Sequence, residues 1–135
     1  MATRLNPYLH FRGTAREAME FYRSVLGGAL SMMTFGQYGM EGQQADQIMH
    51  AQLETSSGDT LMGSDIPDGM PFPEGSWTVS LSGDEADVLR GWWEGLGDGA
   101  TIETALKKQM WGDEFGQLRD RYGVTWIVNI STPQA

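Results

Sequence analysis

The sequence predicts an α+β fold made of two paired β-α-β-β-β modules, and three observations lead there. The first is an internal repeat: Gln52-Leu53, Gly58 and Thr60 return as Gln117-Leu118, Gly123 and Thr125, every pair offset by 65 residues. The second is a shared corner, Leu26-Gly27-Gly28-Ala29 in one half and Leu96-Gly97-Asp98-Gly99-Ala100 in the other. The third is periodicity, since each half runs a period-two stretch, a helical stripe and then further strand-like segments.

Leu5 to Phe11 alternates, with Leu5, Pro7, Leu9 and Phe11 on one face and Asn6, Tyr8 and His10 on the other. Gly13-Thr14 stops it. Thr14 with Glu17 three residues on reads as a capping box, and Ala18, Met19, Tyr22, Val25 and Leu26 form the buried stripe of a helix that ends at Gly27-Gly28. Leu30 to Phe35 is a strand. Gly36 to Ala45, polar and Gly-rich, reads as a mobile loop. Ile48 to Thr55 and Thr60 to Ser64 then make a hairpin about Ser56-Ser57-Gly58-Asp59.

Residues 66–75, rich in Pro and Gly, read as a linker between module one (about 1–65) and module two (about 76–135) of a single 135-residue domain. Trp77 to Leu81 is a strand. Asp84 caps a helix whose stripe is Val88, Leu89, Trp92 and Leu96. Ala100 to Leu106, Phe115 to Asp120 and Val124 to Ile130 complete the module. Near the end, Trp111-Gly112-Asp113, Phe115-Gly116, Asp120, Gly123 and Trp126 spell a strand–turn–strand hairpin in which an Asp folds back on its own backbone, and Asp113 reads as capping a turn or facing a cation. Two such modules pair most economically into a curved eight-stranded sheet, a cup with helices on its convex side. The helix-facing set is Leu9, Phe11, Leu53, Val79, Leu81, Trp126 and Val128. The cup-facing set is Asn6, Tyr8, His10, His50, Gln52, Ser76, Thr78, Ser80, Thr125, Ile127 and Asn129.

Composition bounds the function. At 40% hydrophobic and 20% charged, the chain reads as an ordinary globular domain. No window approaches the roughly 18 apolar residues of a membrane span, and no signal core precedes the first strand. A net charge of −9 with scattered basic residues argues against nucleic acid as a partner. Zero cysteines exclude disulfides and thiolate metal sites and point to the cytoplasm.

Asn6-Pro7-Tyr8-Leu9, Glu17-Ala18 leading into Phe21-Tyr22, Gly27-Gly28, Met49-His50-Ala51, Leu61-Met62-Gly63-Ser64-Asp65 and Trp111-Gly112-Asp113 through Trp126 resemble the PhnB-like branch of the vicinal-oxygen-chelate (glyoxalase, bleomycin-resistance and extradiol-dioxygenase) superfamily. The likeness runs in order along nearly the whole chain. It implies paired β-α-β-β-β modules and a homodimer. Members of this branch sometimes carry a demethylubiquinone methyltransferase label, but the sequence has no Gly-rich loop of the kind that holds a nucleotide-type methyl donor. The superfamily's metal-ligand slots fall, by position, near Asn6 and Ser76 on first strands and near Met62 and Ile127 on last strands. None of these suits Zn, Ni, Mn or Fe, which favour imidazole or carboxylate, so no metal and no cofactor is expected. A triad of His10, His50 and Glu54 would need three residues with no short-range spacing to converge.

His50, on the polar face with Gln52, is the candidate general base, or else a hydrogen-bonded rim histidine. Tyr8 is the second candidate catalytic group, offering a stacking face and a hydroxyl. Asn6, Gln52, Met62, Trp111 and Ile127 are the candidate ligand-binding residues, with loop-borne Trp111 as an aromatic wall or, structurally, a plug. His10 reads as a surface residue, Trp92 as core and Trp93 as an interface residue. Glu54 and Asp65 read as turn-side acids. The nine methionines suit an adaptable apolar pocket as well as ordinary packing. The functions in contention are an enzyme without a firmly bound metal, moving a proton on a carbonyl-type substrate; an acidic protein that sequesters a cationic drug or metabolite; and a metal-dependent lyase or dioxygenase.

Overall fold

In chain order the elements are β1 (Tyr8–Phe11), α1 (Ala15–Leu26), β2 (Ala29–Thr34), β3 (Ile48–Glu54), β4 (Thr60–Asp65), β5 (Thr78–Gly83), α2 (Ala86–Leu96), β6 (Thr101–Lys108), β7 (Glu114–Arg119) and β8 (Thr125–Ile130). This computed structural model describes residues 5–72 and 78–131; Ser76, one of the ligand slots, and Trp77 lie outside them. The chain divides into two units, Met1–Glu74 and Gly75–Ala135. Each holds one four-stranded mixed sheet, in the order β1-β4-β3-β2 and β5-β8-β7-β6. The topology is the same in both: the first strand runs parallel to the last, and the other neighbours are antiparallel. This is an α+β architecture with one β-α-β-β-β motif per unit.

The repeat seen in the sequence is a repeat of turn geometry. Gly58 N–H donates to the Thr55 carbonyl at 3.0 Å, and Gly123 N–H donates to that of Asp120 at 3.0 Å. Each hairpin closes one step later, Thr55 N to Asp59 O and Asp120 N to Val124 O, both at 2.8 Å. Gly58 and Gly123 take φ of 91° and 89°, a left-handed conformation in which a Cβ is strained. The register behind the turns repeats too, Gln52 opposite Met62 and Gln117 opposite Ile127.

In the first unit, α1 buries Ala15, Ala18, Met19, Tyr22 and Leu26 against one face of the sheet. That face carries Leu9, Phe11, Ala51 and Leu53, all buried. Gly63 lies in the same layer, where a Cβ would meet Met19 Sδ at 3.4 Å and Phe11 Cε2 at 3.4 Å. Burial on this scale contributes about 1.5–3 kcal/mol for each large apolar side chain. Strand alternation then turns Tyr8, His10, His50, Gln52 and Met62 to the opposite, helix-free face.

Helix capping differs from the sequence reading. Thr14 is the N-cap of α1, but its side chain makes no cap hydrogen bond. The cap comes from Asp65 at the end of β4, whose Oδ1 accepts from Ala15 N at 3.0 Å and from Gly13 N at 2.8 Å. Likewise Asp84 does not cap α2 with its side chain; the N-cap is Glu85, and the Asp84 backbone carbonyl accepts from Ala86 N at 3.0 Å. Gly36–Tyr38 forms a 3-10 turn, and Phe35 and Gly36 N–H donate to the carbonyls of Gln47 and Ala45 at 3.0 and 2.8 Å.

In the second unit, Leu89, Val128 and Ile130 form a buried cluster with Leu81, Trp92 and Trp93 packed on it. Trp93 is therefore a packing residue, its ring lying over Gly116, where a Cβ would come within 2.7 Å of it. Val88, expected on the buried stripe, is 43% exposed. Asp120 folds back on its own turn, accepting from Tyr122 N at 2.8 Å and Val124 N at 3.1 Å, and its Oδ2 accepts from Trp126 Nε1 at 2.8 Å. A short hydrogen bond and ion pair from Arg90 on α2 to Glu114 on β7 raise the guanidinium above its ordinary pKa. No helix among the described residues is long and apolar enough to cross a membrane.

Candidate functional site

The helix-free face of the first sheet carries a line of polar side chains that crosses three strands. Tyr8 on β1 brings its hydroxyl to 3.3 Å from His50 Nδ1 on β3. His50 Nε2 lies 3.4 Å from Gln52 Oε1, two residues along the same strand and so on the same face. Gln52 Nε2 donates to Glu54 Oε1 at 2.6 Å. Thr60 on β4, buried, donates its hydroxyl to Glu54 Oε2 at 2.8 Å. The line ends at the Tyr8 ring, which is 39% exposed and so reachable from solvent.

Register explains why these groups meet. Tyr8 and Gln52 both stand opposite Met62, one in the parallel β1–β4 pair and one in the antiparallel β3–β4 pair. The Met62 thioether thus lies between a phenol and an amide, an adaptable apolar floor to the polar line. Met33 on β2 stands opposite His50 and accepts a hydrogen bond from Tyr38 Oη at 3.2 Å. His10 is half-buried rather than a surface residue, with its ring centroid 5.4 Å from that of Tyr8; the His50 centroid is 5.8 Å away from the same phenol. Two imidazoles therefore accompany the phenol, with two methionines on neighbouring strands.

Of the residues the sequence singles out, Tyr8, His50, Gln52 and Met62 share this face. Asn6 lies two residues before Tyr8, half-buried, ahead of β1. Ile127 and Trp111 belong to the second unit. Ile127 stands opposite Gln117 and Ser80 on the helix-free face of that sheet. Trp111 is 63% exposed at the tip of the β6–β7 hairpin, edge-on to Phe115 at 6.4 Å between centroids. That tip is closed by Gln109 N donating to Asp113 O at 2.8 Å and Gly112 N donating to Gln109 O at 3.0 Å. Asp113 accepts from Asn129 Nδ2 at 3.1 Å.

Two acids take roles that the local sequence does not signal. Glu54, read as a turn-side carboxylate, is the anchor of the polar line. Asp65 is buried at 3% exposure and caps α1 while its Oδ2 accepts from Ile48 N at 2.9 Å. Both roles depend on partners brought by the sheet, Thr60 for the first and the α1 terminus for the second. A sequence cue exists only for Thr60, whose offset partner Thr125 marks it as a hairpin position.

Asn6, Met62 and Ile127, positions to which the sequence resemblance carries the metal-ligand slots, offer an amide, a thioether and a hydrocarbon, a set that does not fit Zn, Ni, Mn or Fe. Among the described residues no group of three His, Cys, Asp or Glu side chains comes together to hold a metal ion. At the N-terminus of α1 the N–H groups of Gly13 and Ala15 are taken by Asp65.

The model of the 3-demethylubiquinone-9 3-methyltransferase family matches residues 3–129. Protein PA1353 from Pseudomonas aeruginosa is 33% identical in sequence, with a TM-score of 0.86 over 98% of this chain and 100% of its own. A PhnB protein from Bacillus cereus superposes with a TM-score of 0.68 at 24% identity, over 96% of this chain and 100% of its own. A glyoxalase/bleomycin resistance protein/dioxygenase family enzyme from Burkholderia phytofirmans shares the fold at a TM-score of 0.60 and 11% identity, over 94% of this chain and 97% of its own.

Proposed function

Because this chain belongs to the PhnB-like 3-demethylubiquinone-9 3-methyltransferase family, within the glyoxalase/bleomycin resistance/dioxygenase superfamily, we propose that it binds a small organic molecule on the helix-free face of its first sheet. Tyr8 and His50 act there as a proton-accepting pair, without a tightly bound metal. The observation that carries this reading is the contact of a reachable phenol with an imidazole nitrogen, 3.3 Å apart. A phenol alone is a poor base near neutrality, and an imidazole in contact with it supplies the sink that it lacks.

On a carbonyl-type substrate, the hydrogen next to the carbonyl passes to Tyr8 Oη as the Tyr8 proton passes to His50 Nδ1. The C–H electron pair moves into the carbonyl and leaves an enolate, and the imidazolium returns the proton in the second half of the reaction. Tyr8, His10 and Met62 supply the apolar and aromatic surface on which a flat ligand rests.

A second reading is favoured by the net charge of −9: sequestration of a cationic molecule on the same aromatic face, with no chemistry. In either case we propose that the protein acts in the cytoplasm as a homodimer.

Native mass spectrometry and extraction of whatever copurifies identify the ligand. With it in hand, His50→Gln is expected to lower turnover on the order of 10²-fold or more while binding survives. Unchanged ligand chemistry with a modest loss of affinity supports sequestration instead. If neither His50→Gln nor Tyr8→Phe alters binding or rate, the site is not on this face.

A further inference from the structure

The position of one proton on the His50 ring decides what Tyr8 does, and the far end of the polar line decides the position of that proton. A carboxylate accepts hydrogen bonds and does not donate them. Glu54 therefore admits only the NH2 end of the Gln52 amide, which donates to it at 2.6 Å. Thr60 holds the carboxylate in place from the neighbouring strand, donating at 2.8 Å to its other oxygen. With its NH2 so engaged, Gln52 turns Oε1 toward His50 Nε2, 3.4 Å away. An acceptor at that point requires a proton on Nε2. In a neutral ring Nδ1 then carries the lone pair, and Tyr8 Oη at 3.3 Å is its donor.

We infer that Glu54, which does not touch His50, is a positioning residue that fixes the ring in its Nε2–H form and so makes Nδ1 the proton acceptor of Tyr8. The consequence reaches the open end of the line. A Tyr8 hydroxyl that gives its hydrogen inward presents its oxygen outward as an acceptor. The ligand atom that meets it is then a hydrogen donor, such as an acidic C–H, a hydroxyl or an ammonium N–H. Reversing the Gln52 amide would lose its bond to Glu54, put NH2 against His50 Nε2, move the ring proton to Nδ1 and turn the Tyr8 hydroxyl outward as a donor. The orientation of one amide thus sets which of two ligand chemistries the face accepts. This role of Glu54 rests on the proton-accepting reading of the face, but the ring tautomer is measurable without any ligand.

The chain has two histidines, so the ring nitrogens of His50 are assigned in a long-range 1H–15N correlation spectrum by comparison with His50→Gln. Recorded on the full chain at a pH where the ring is neutral, the spectrum is expected to show a lone-pair nitrogen at Nδ1 and a protonated one at Nε2. Glu54→Gln offers the Gln52 amide a partner at either end, and the Nδ1–H form is expected to rise several-fold. Thr60→Val keeps the carboxylate and is expected to keep Nε2–H. An Nδ1–H ring in the unaltered protein overturns the inference, and so does a ring unchanged by Glu54→Gln. Should Glu54→Gln fail to fold, Gln52→Met removes the amide at similar length, and an unmoved tautomer there overturns it equally. Because the readout is taken on the free protein, its failure leaves the ligand-binding reading standing. A face that binds nothing, conversely, leaves the tautomer result intact.

Discussion

Asp65, the last residue of β4, caps the helix that begins fifty positions earlier: its Oδ1 accepts from Ala15 N at 3.0 Å, while its Oδ2 accepts from Ile48 N at 2.9 Å. With Gly13 N also donating to Oδ1, one buried carboxylate fastens three segments together: the turn after β1, the start of α1 and the start of β3. An acid at the N-terminus of a helix also meets the positive end of its dipole.

Asp65→Ala is therefore expected to destabilise the protein by about 2–4 kcal/mol, since three backbone donors lose a charged acceptor in a buried place. Thr14→Ala, by contrast, should shift stability by no more than about 0.5 kcal/mol, because its hydroxyl makes no cap bond. Urea unfolding of both variants checks the pair. A costly Thr14→Ala with a mild Asp65→Ala would reverse the assignment of the cap.

Gly116 lies beneath Trp93. A Cβ there would sit 2.7 Å from the indole and 2.9 Å from Leu106 Cα. Gly116→Ala is expected to cost about 1–3 kcal/mol by overpacking. Gly91, where a Cβ meets nothing within 4 Å, should instead tolerate alanine or gain from it, by about 0.5–1 kcal/mol for a helix interior. Thermal melts of the two variants should move in opposite directions.

What is legible in the sequence is local. The turns at Gly58 and Gly123 follow from glycine chemistry and a 65-residue offset, and alternation along Leu9, Phe11 and Leu53 marks the helix-facing layer. Tyr8, His50 and Gln52 fall on the other face for the same reason. What is not legible depends on pairing between distant segments. The parallel register of β1 with β4 carries Asp65 to the helix terminus, and the β3–β4 hairpin sets Thr60 beside Glu54. Both carboxylates end a strand and precede a turn-rich stretch, where a solvated acid is the ordinary expectation. Trp93 is a related case: its packing over Gly116 comes from another strand, which leaves no mark on the helix's own periodicity.

Assembly is open to a direct measurement. β6 is exposed along its length except at Leu106, and Ile102 shows 47% of its surface. β6 ends its sheet, so one side of its backbone ladder has no strand beside it in that sheet. Edge strands of this kind are commonly covered. A two-fold homodimer is expected by light scattering at micromolar concentration, and a lysine placed at Ile102 should weaken it if β6 is the contact. A monomeric unaltered chain would remove the homodimer from the functional reading.

Trp111 gives the sharpest division between structure and binding. At 63% exposure on a hairpin tip it contributes little to folding, so Trp111→Ala should change stability by no more than about 0.5 kcal/mol. If the indole serves as a ligand wall on the second unit, the same substitution should weaken a molecule bound there by roughly 1–3 kcal/mol, the scale of a buried aromatic contact. Phe115, whose ring meets the indole edge-on, should give a smaller loss of affinity when truncated, because it acts only through its support of Trp111. Calorimetry on the ligand and denaturant unfolding on the free protein separate the two effects. A large loss of stability with unchanged affinity would make Trp111 a plug, and the indole would then drop out of the ligand surface.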